Sequence, residues 1–232
     1  MLHPDLWLGH QLGRQVDVAT SSGFAALDAE LPGHGWPSRG LTEILLSRPG
    51  VGELRLLAPA LAAAQPDHVV MLFDPPLNLN TRALGQLGVD LKHLLVITTR
   101  SQTTTRDRDS LWALEQALKS GHVGAILAWL PPRLHPEKVR RLQLAAHNHV
   151  GVAFTVRDAS VRDSPSAAPL RLEIAAGGAD QIQVRVLKRR GPPLLEPIAF
   201  ELPSVLSAAA RRRSIRGRST SVGDRVSVSL PQ

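Results

Sequence analysis

The stretch Leu45-Leu46-Ser47-Arg48-Pro49-Gly50-Val51-Gly52-Glu53-Leu54-Arg55 has the outline of a phosphate-binding loop and the wrong side chains for one. An apolar strand over 41–46 leads into a Pro/Gly turn and then a helix over 53–64, the strand–loop–helix setting that such a loop needs. In a working loop backbone N–H groups wrap the phosphates, a lysine reaches the terminal ones, and a Ser/Thr hydroxyl holds Mg²⁺. Here Ser47, Gly50 and Gly52 keep the backbone pattern, but Glu53 stands at the lysine position and Leu54 at the hydroxyl position. A carboxylate there repels a triphosphate. The helix dipole also favours an acid in a first turn, so Glu53 reads either as an electrostatic block or as a helix-start preference. Both readings leave ATP unheld.

The other candidates for chemistry are sparse. There is no cysteine, which excludes a disulfide framework and thiolate zinc sites. The nine histidines are scattered. His147 and His149 would share a side only on a strand, and no His/carboxylate cluster has ligand spacing, so no metal site is expected. Aromatics make up 3% of the chain and tyrosine is absent, which argues against a stacking platform for single-stranded nucleic acid. The net charge of +7 is concentrated: Arg211, Arg212, Arg213, Arg216, Arg218 and Arg225 face one acid, Asp224, within 204–232. Such a tail binds DNA through counterion release, docks on an acidic protein surface, or only solubilises the chain.

A length of 232 residues suits one α/β domain with a tail. Residues 1–20 read as an arm or docking helix anchored by Trp7, 21–203 as the folded domain, and 204–232 as a basic, disordered tail. Strands are predicted over 41–46, 68–73, 94–98, 124–130 and 150–156. Helices are predicted over 53–64, 80–87 and 136–148, the last with Val139, Leu142 and Leu144 inward. A further helix is capped by Ser110 and presents Leu111, Leu114, Ala117 and Leu118. Segments 101–109 and 157–169 are polar loops, and 170–175 with 181–188 form a hairpin across Ala176-Gly177-Gly178-Ala179. Strands alternating with helices, then a hairpin, predict a mainly parallel sheet with an antiparallel edge. No apolar run spans a membrane and no signal peptide opens the chain, so a cytoplasmic protein is expected.

Several segments, in order, resemble the RecA-family recombinase core. These are Ser22-Gly23-Phe24-Ala25-Ala26-Leu27-Asp28, Gly33 to Ile44, Leu87-Gly88-Val89-Asp90-Leu91-Lys92-His93-Leu94-Leu95, Leu170 to Ile174, and Val186 to Pro192. The resemblance implies a RecA-like P-loop-type fold: a mainly parallel twisted sheet, helices on both faces and a C-terminal β-hairpin. Against that pattern Trp129 stands where the family carries a metal-orienting Asp. Asp74 survives after the second strand, but Pro75-Pro76 replaces the water-activating carboxylate. With Glu53 and Leu54, the phosphate clamp, Mg²⁺ support and general base are all absent, and the expectation is a protein that is not an enzyme and holds no cofactor.

The chain is more specifically similar to the ImuA family of translesion DNA synthesis-associated proteins, non-catalytic RecA-like proteins related to the SulA type. Leu31–Pro37, Gly50–Leu61, Leu111–Gly121 and Leu127–Leu130 carry that similarity. It implies a bacterial, SOS-induced accessory of mutagenesis, nucleoid-associated when DNA is damaged. The partners implied are an ImuB-type inactive Y-family polymerase, an error-prone replicative-type polymerase and sliding clamp reached through it, and RecA. A SulA-like inhibitor of FtsZ and a modulator of RecA filaments are the alternatives. The recombinases place a DNA-contacting loop at 157–169, so Arg157 and Arg162 become candidates for DNA, offset by Asp158 and Asp163. Matching basic residues at Lys188, Arg189 and Arg190 serve a subunit interface there; here they suit a partner, DNA, or a solvated edge. Trp36 and Trp129 are either partner anchors or core, Trp129 the better fit to core. Lys138, Arg140 and Arg141 read as a partner site or a solvated helix face.

Overall fold

The computed structural model describes residues 19–99, 106–178 and 180–205. A two-residue ladder, β1 (Ala19–Thr20) with β2 (Trp36–Pro37), brackets the short helix α1 (Ala25–Asp28). Then follow β3 (Leu41–Leu46), α2 (Glu53–Ala63), β4 (Val69–Phe73), α3 (Thr81–Gln86), β5 (Leu94–Ile97) and α4 (Arg106–Lys119). The chain closes with β6 (Val123–Trp129), α5 (Pro136–Ala146), β7 (Val152–Asp158), β8 (Leu170–Ala176), β9 (Gln181–Lys188) and β10 (Ile198–Glu201). Strands β3 to β10 make one sheet in the order β10-β9-β8-β3-β7-β6-β4-β5. It is parallel from β8 to β5 and antiparallel through β9 and β10.

The α/β class and the mostly parallel sheet agree with the sequence pattern. All six residues of β3 are buried, as a central strand covered on both faces requires. On one face Ile44, Leu46 and Phe154 pack with Leu27 of α1, Leu56 and Leu61 of α2, and Leu84 of α3. On the other, Leu41, Ile126 and Ala153 meet Leu114 and Leu118 of α4 and Leu142 of α5.

The sequence landmarks turn out to be fasteners. Asp28 receives hydrogen bonds from Ser21 Oγ (2.6 Å) and the Ser22 N–H (2.8 Å), closing the Ser-Gly turn. Gly23, at φ 81°, presses on Pro59 of α2, where a Cβ would come within 2.7 Å of the ring. Buried Gln65 exchanges two hydrogen bonds with the backbone of Asp90, tying α2 to the Gly88-Val89-Asp90 turn.

Several expectations are corrected. Trp36 is fully buried, edge-on to Phe154 at 5.2 Å, so it anchors the core and offers nothing to a partner. Helix α4 begins at Arg106, four residues before Ser110, whose hydroxyl donates to Asp74 instead of capping. Leu144 is 64% exposed, because Val139, Leu142, Ala145 and Ala146 define the inward stripe of α5. Strand β7 runs over Val152–Asp158, two residues later than predicted, and leaves Val150 exposed. His147 and His149 lie in the turn after α5, the first exposed and the second buried. Strand β10 was not foreseen. Residues 1–18, 100–105 and the basic tail with Arg211, Arg212, Arg213, Arg216 and Arg218 lie outside the described residues.

Candidate functional site

In open parallel sheets ligands sit beyond the carboxyl ends of the strands. That edge here gathers the loop 47–52 after β3, Asp74 after β4, Trp129 at the end of β6, and Arg157 near the end of β7. The loop has the backbone shape of an anion nest. Gly50 and Gly52 take φ values of 80° and 117°, and Gly52 is the N-cap of α2. Two of its donors, however, are already engaged. The Glu53 carboxylate, 4% exposed as a residue, folds back to accept from the Gly50 N–H (2.9 Å) and the Gly52 N–H (3.2 Å). These are charge-assisted bonds at a helix N-terminus, the interaction a phosphate oxygen would make. An internal carboxylate occupies the nest and opposes any phosphate.

The far side of the loop is also covered. A Cβ on Gly52 would lie 2.8 Å from the Leu202 side chain, which is buried beyond β10. Arg55, in the first turns of α2, holds this segment down through Asp180 (2.7 Å), the Leu202 carbonyl (2.9 Å) and the Pro203 carbonyl (2.9 Å). Leu54 packs on the core and Ser47 is exposed.

Asp74 has a positive φ of 49°. Its carboxylate accepts from the Thr99 N–H (2.7 Å), the Thr99 hydroxyl (2.8 Å) and the Ser110 hydroxyl (2.6 Å), joining β4, β5 and α4. The acid that survives in the sequence is thus bound into the frame. Trp129 is half-buried between two clefts, of ≈190 Å³ beside Arg48 and Arg157 and ≈310 Å³ beside Asp74. It packs on the core, and its indole N–H has no hydrogen-bond partner among the described residues. Among those residues no three His, Asp or Glu side chains gather where they could hold a metal.

The cationic candidates are committed to structural partners, and Arg157 and Arg162 are both linked to Arg171, the first through Glu43 and the second through its carbonyl. Arg157 is 6% exposed and pairs with Glu43 (3.2 Å), which also takes Arg171 Nε at 2.5 Å. Arg157 therefore belongs to a buried structural cluster and is corrected as a DNA contact. The sequence signal for it was Glu43, a lone acid in an apolar strand that must find a cation. Arg162 is partly exposed and pairs with Glu173 at 3.2 Å. Lys188 donates to the Ser166 carbonyl (2.9 Å), and Arg189 to Pro192 and Glu30. Arg190 is exposed and has a partner of its own. By register Lys188 lies beside Arg171 at the amino end of β8, the opposite end of the sheet from the loop. Asp180 and Arg55, which brace the loop, carried no sequence signal.

No family model matches the chain, and no curated protein matches it. Among the described residues no helix is long and apolar enough to cross a membrane.

Proposed function

We propose that the chain is a non-enzymatic docking protein on a RecA-like frame, serving damage-induced translesion DNA synthesis. The observation that carries the non-enzymatic half is the Glu53 carboxylate seated in its own phosphate nest. Supporting it, Leu54 and Trp129 stand at the metal-holding positions and Asp74 is committed to Thr99 and Ser110. The RecA-like reading draws on the mostly parallel sheet, its helices on both faces and its antiparallel closing strands. The biology draws on the ordered ImuA-like segments. In this reading the chain positions an inactive Y-family polymerase, and the basic tail adds affinity for partner or DNA.

The test is a pull-down from DNA-damaged cells with the full chain and with a chain ending at Pro203. The inactive Y-family polymerase copurifies with the full chain, and its loss on truncation assigns the contact to the tail. Recovery of FtsZ without any polymerase would replace this reading with a cell-division inhibitor.

A further inference from the structure

We propose that Leu6-Trp7-Leu8, from the chain's own amino-terminal segment, adds an antiparallel strand to the open edge of β5. Strand β5 ends the eight-stranded sheet, with β4 on one side and no strand on the other among the described residues. Successive residues of a strand turn their backbone groups to opposite edges. The Ile97 carbonyl accepts from the Asp74 N–H (2.8 Å) at the end of β4, so the N–H and carbonyl of Val96 point outward. Neither has a partner among the described residues. Natural sheet edges are blunted by charge, proline or a bulge. Leu94-Leu95-Val96-Ile97 carries none of these. Such an edge is a template for another strand.

The exposed side chains specify the occupant. Leu95 and Val96, neighbours that point to opposite faces of the sheet, are each 45% exposed. An occupant that covers both needs a continuous apolar run, and alternation would cover only one. Leu6-Trp7-Leu8 is such a run, with Leu6 and Leu8 on one face of a strand and Trp7 on the other. Chain length and exit point agree. Thr20 shares a cleft with His68 and Val123, at the amino ends of β4 and β6, and β5 is the next strand beyond β4. The chain therefore enters the fold within two or three strand spacings of β5, roughly 10–15 Å. Residues 9–18 span up to about 33 Å when extended. That is enough to lay Leu6–Leu8 against β5 and bring the chain back to Ala19 at the amino end of the sheet. A second copy pairing through its own β5 contributes only the four residues Leu94–Ile97 of strand, against the roughly 20–30 per side of a stable interface. The arginine-rich tail follows β10, at the other margin of the sheet, and would set charge against an apolar edge.

The test is site-resolved amide hydrogen exchange on the full chain, on a chain lacking residues 1–18, and on Leu6→Asp/Leu8→Asp. Unchanged slow exchange in β3 establishes that both variants fold. In the full chain the Val96 amide exchanges slowly, and equally slowly at low and high protein concentration, as an intramolecular pairing requires. In both variants it exchanges at least about tenfold faster. Fast exchange at Val96 in the full chain, or equal exchange in the variants, overturns the proposal. So does protection that fades on dilution, since the added strand then comes from a second copy.

Discussion

A single carboxylate decides what the loop can do. Glu53 supplies to Gly50 and Gly52 what a bound phosphate would supply, so the nest is satisfied without ligand. Hydrogen bonds to a charged group contribute about 1.5–3 kcal/mol each, and a buried donor left without its partner costs about 1–3 kcal/mol. Glu53→Ala is therefore expected to lower unfolding free energy by about 1–3 kcal/mol, read from denaturant melts. A change below a few tenths would mean the carboxylate does not hold the nest. The sequence showed that Glu53 is the wrong residue for ATP, because charge type is legible in one letter. That its side chain turns back on its own loop depends on backbone geometry, which one letter does not carry. Trp36 was ambiguous for a related reason: a Gly/Pro-flanked Trp can face either way, and packing against Phe154 settles it.

At the scale of elements, apolar runs located β3, β4 and β6, since buried parallel strands read as continuous hydrophobic stretches, while alternation on either side of Gly177-Gly178 located the β8–β9 hairpin. Strand β10 escaped because it is short and follows Pro192, Pro193 and Pro197, although Ile198, Phe200 and Leu202 do alternate with Ala199 and Glu201. The end of β7 escaped because Arg157 and Asp158 look like loop; the buried pairing with Glu43 extends the strand through them. The turn between α5 and β7 buries His149, and burial pushes its pKa below the ordinary 6.5, with His68 adding to the shift. The Val152 backbone beside the ring offsets part of that shift and burial outweighs it. The unfolded chain then binds the proton more readily than the folded one. Stability is full above pH 6.5 and falls as pH drops from there toward the lowered folded-state value. Denaturant unfolding across that window should show this loss, and His149→Gln should remove its share. A stability unchanged or rising on acidification in the wild-type chain, with the same profile in the variant, would contradict the burial argument.

Across the whole molecule, a sheet that normally presents a ligand edge has had that edge closed from several directions. Glu53 fills the nest, Leu202 lies over Gly52, and Asp74 is tied to Thr99 and Ser110. Two clefts beside Trp129, of ≈310 and ≈190 Å³, are what stays open along that edge. The sequence led to the class of fold through order and periodicity. It could not lead to the closure of the site, which joins residues as distant as Arg55 and Pro203. The most direct measurement is isothermal titration of the wild-type chain and Glu53→Ala with Mg²⁺–ATP and with inorganic phosphate. The account predicts no saturable heat from either ligand in the wild-type chain, and weak, saturable phosphate binding once the carboxylate is removed. Saturable ATP binding by the wild-type chain would contradict it, because the nest would then be open and the protein a nucleotide-binding one.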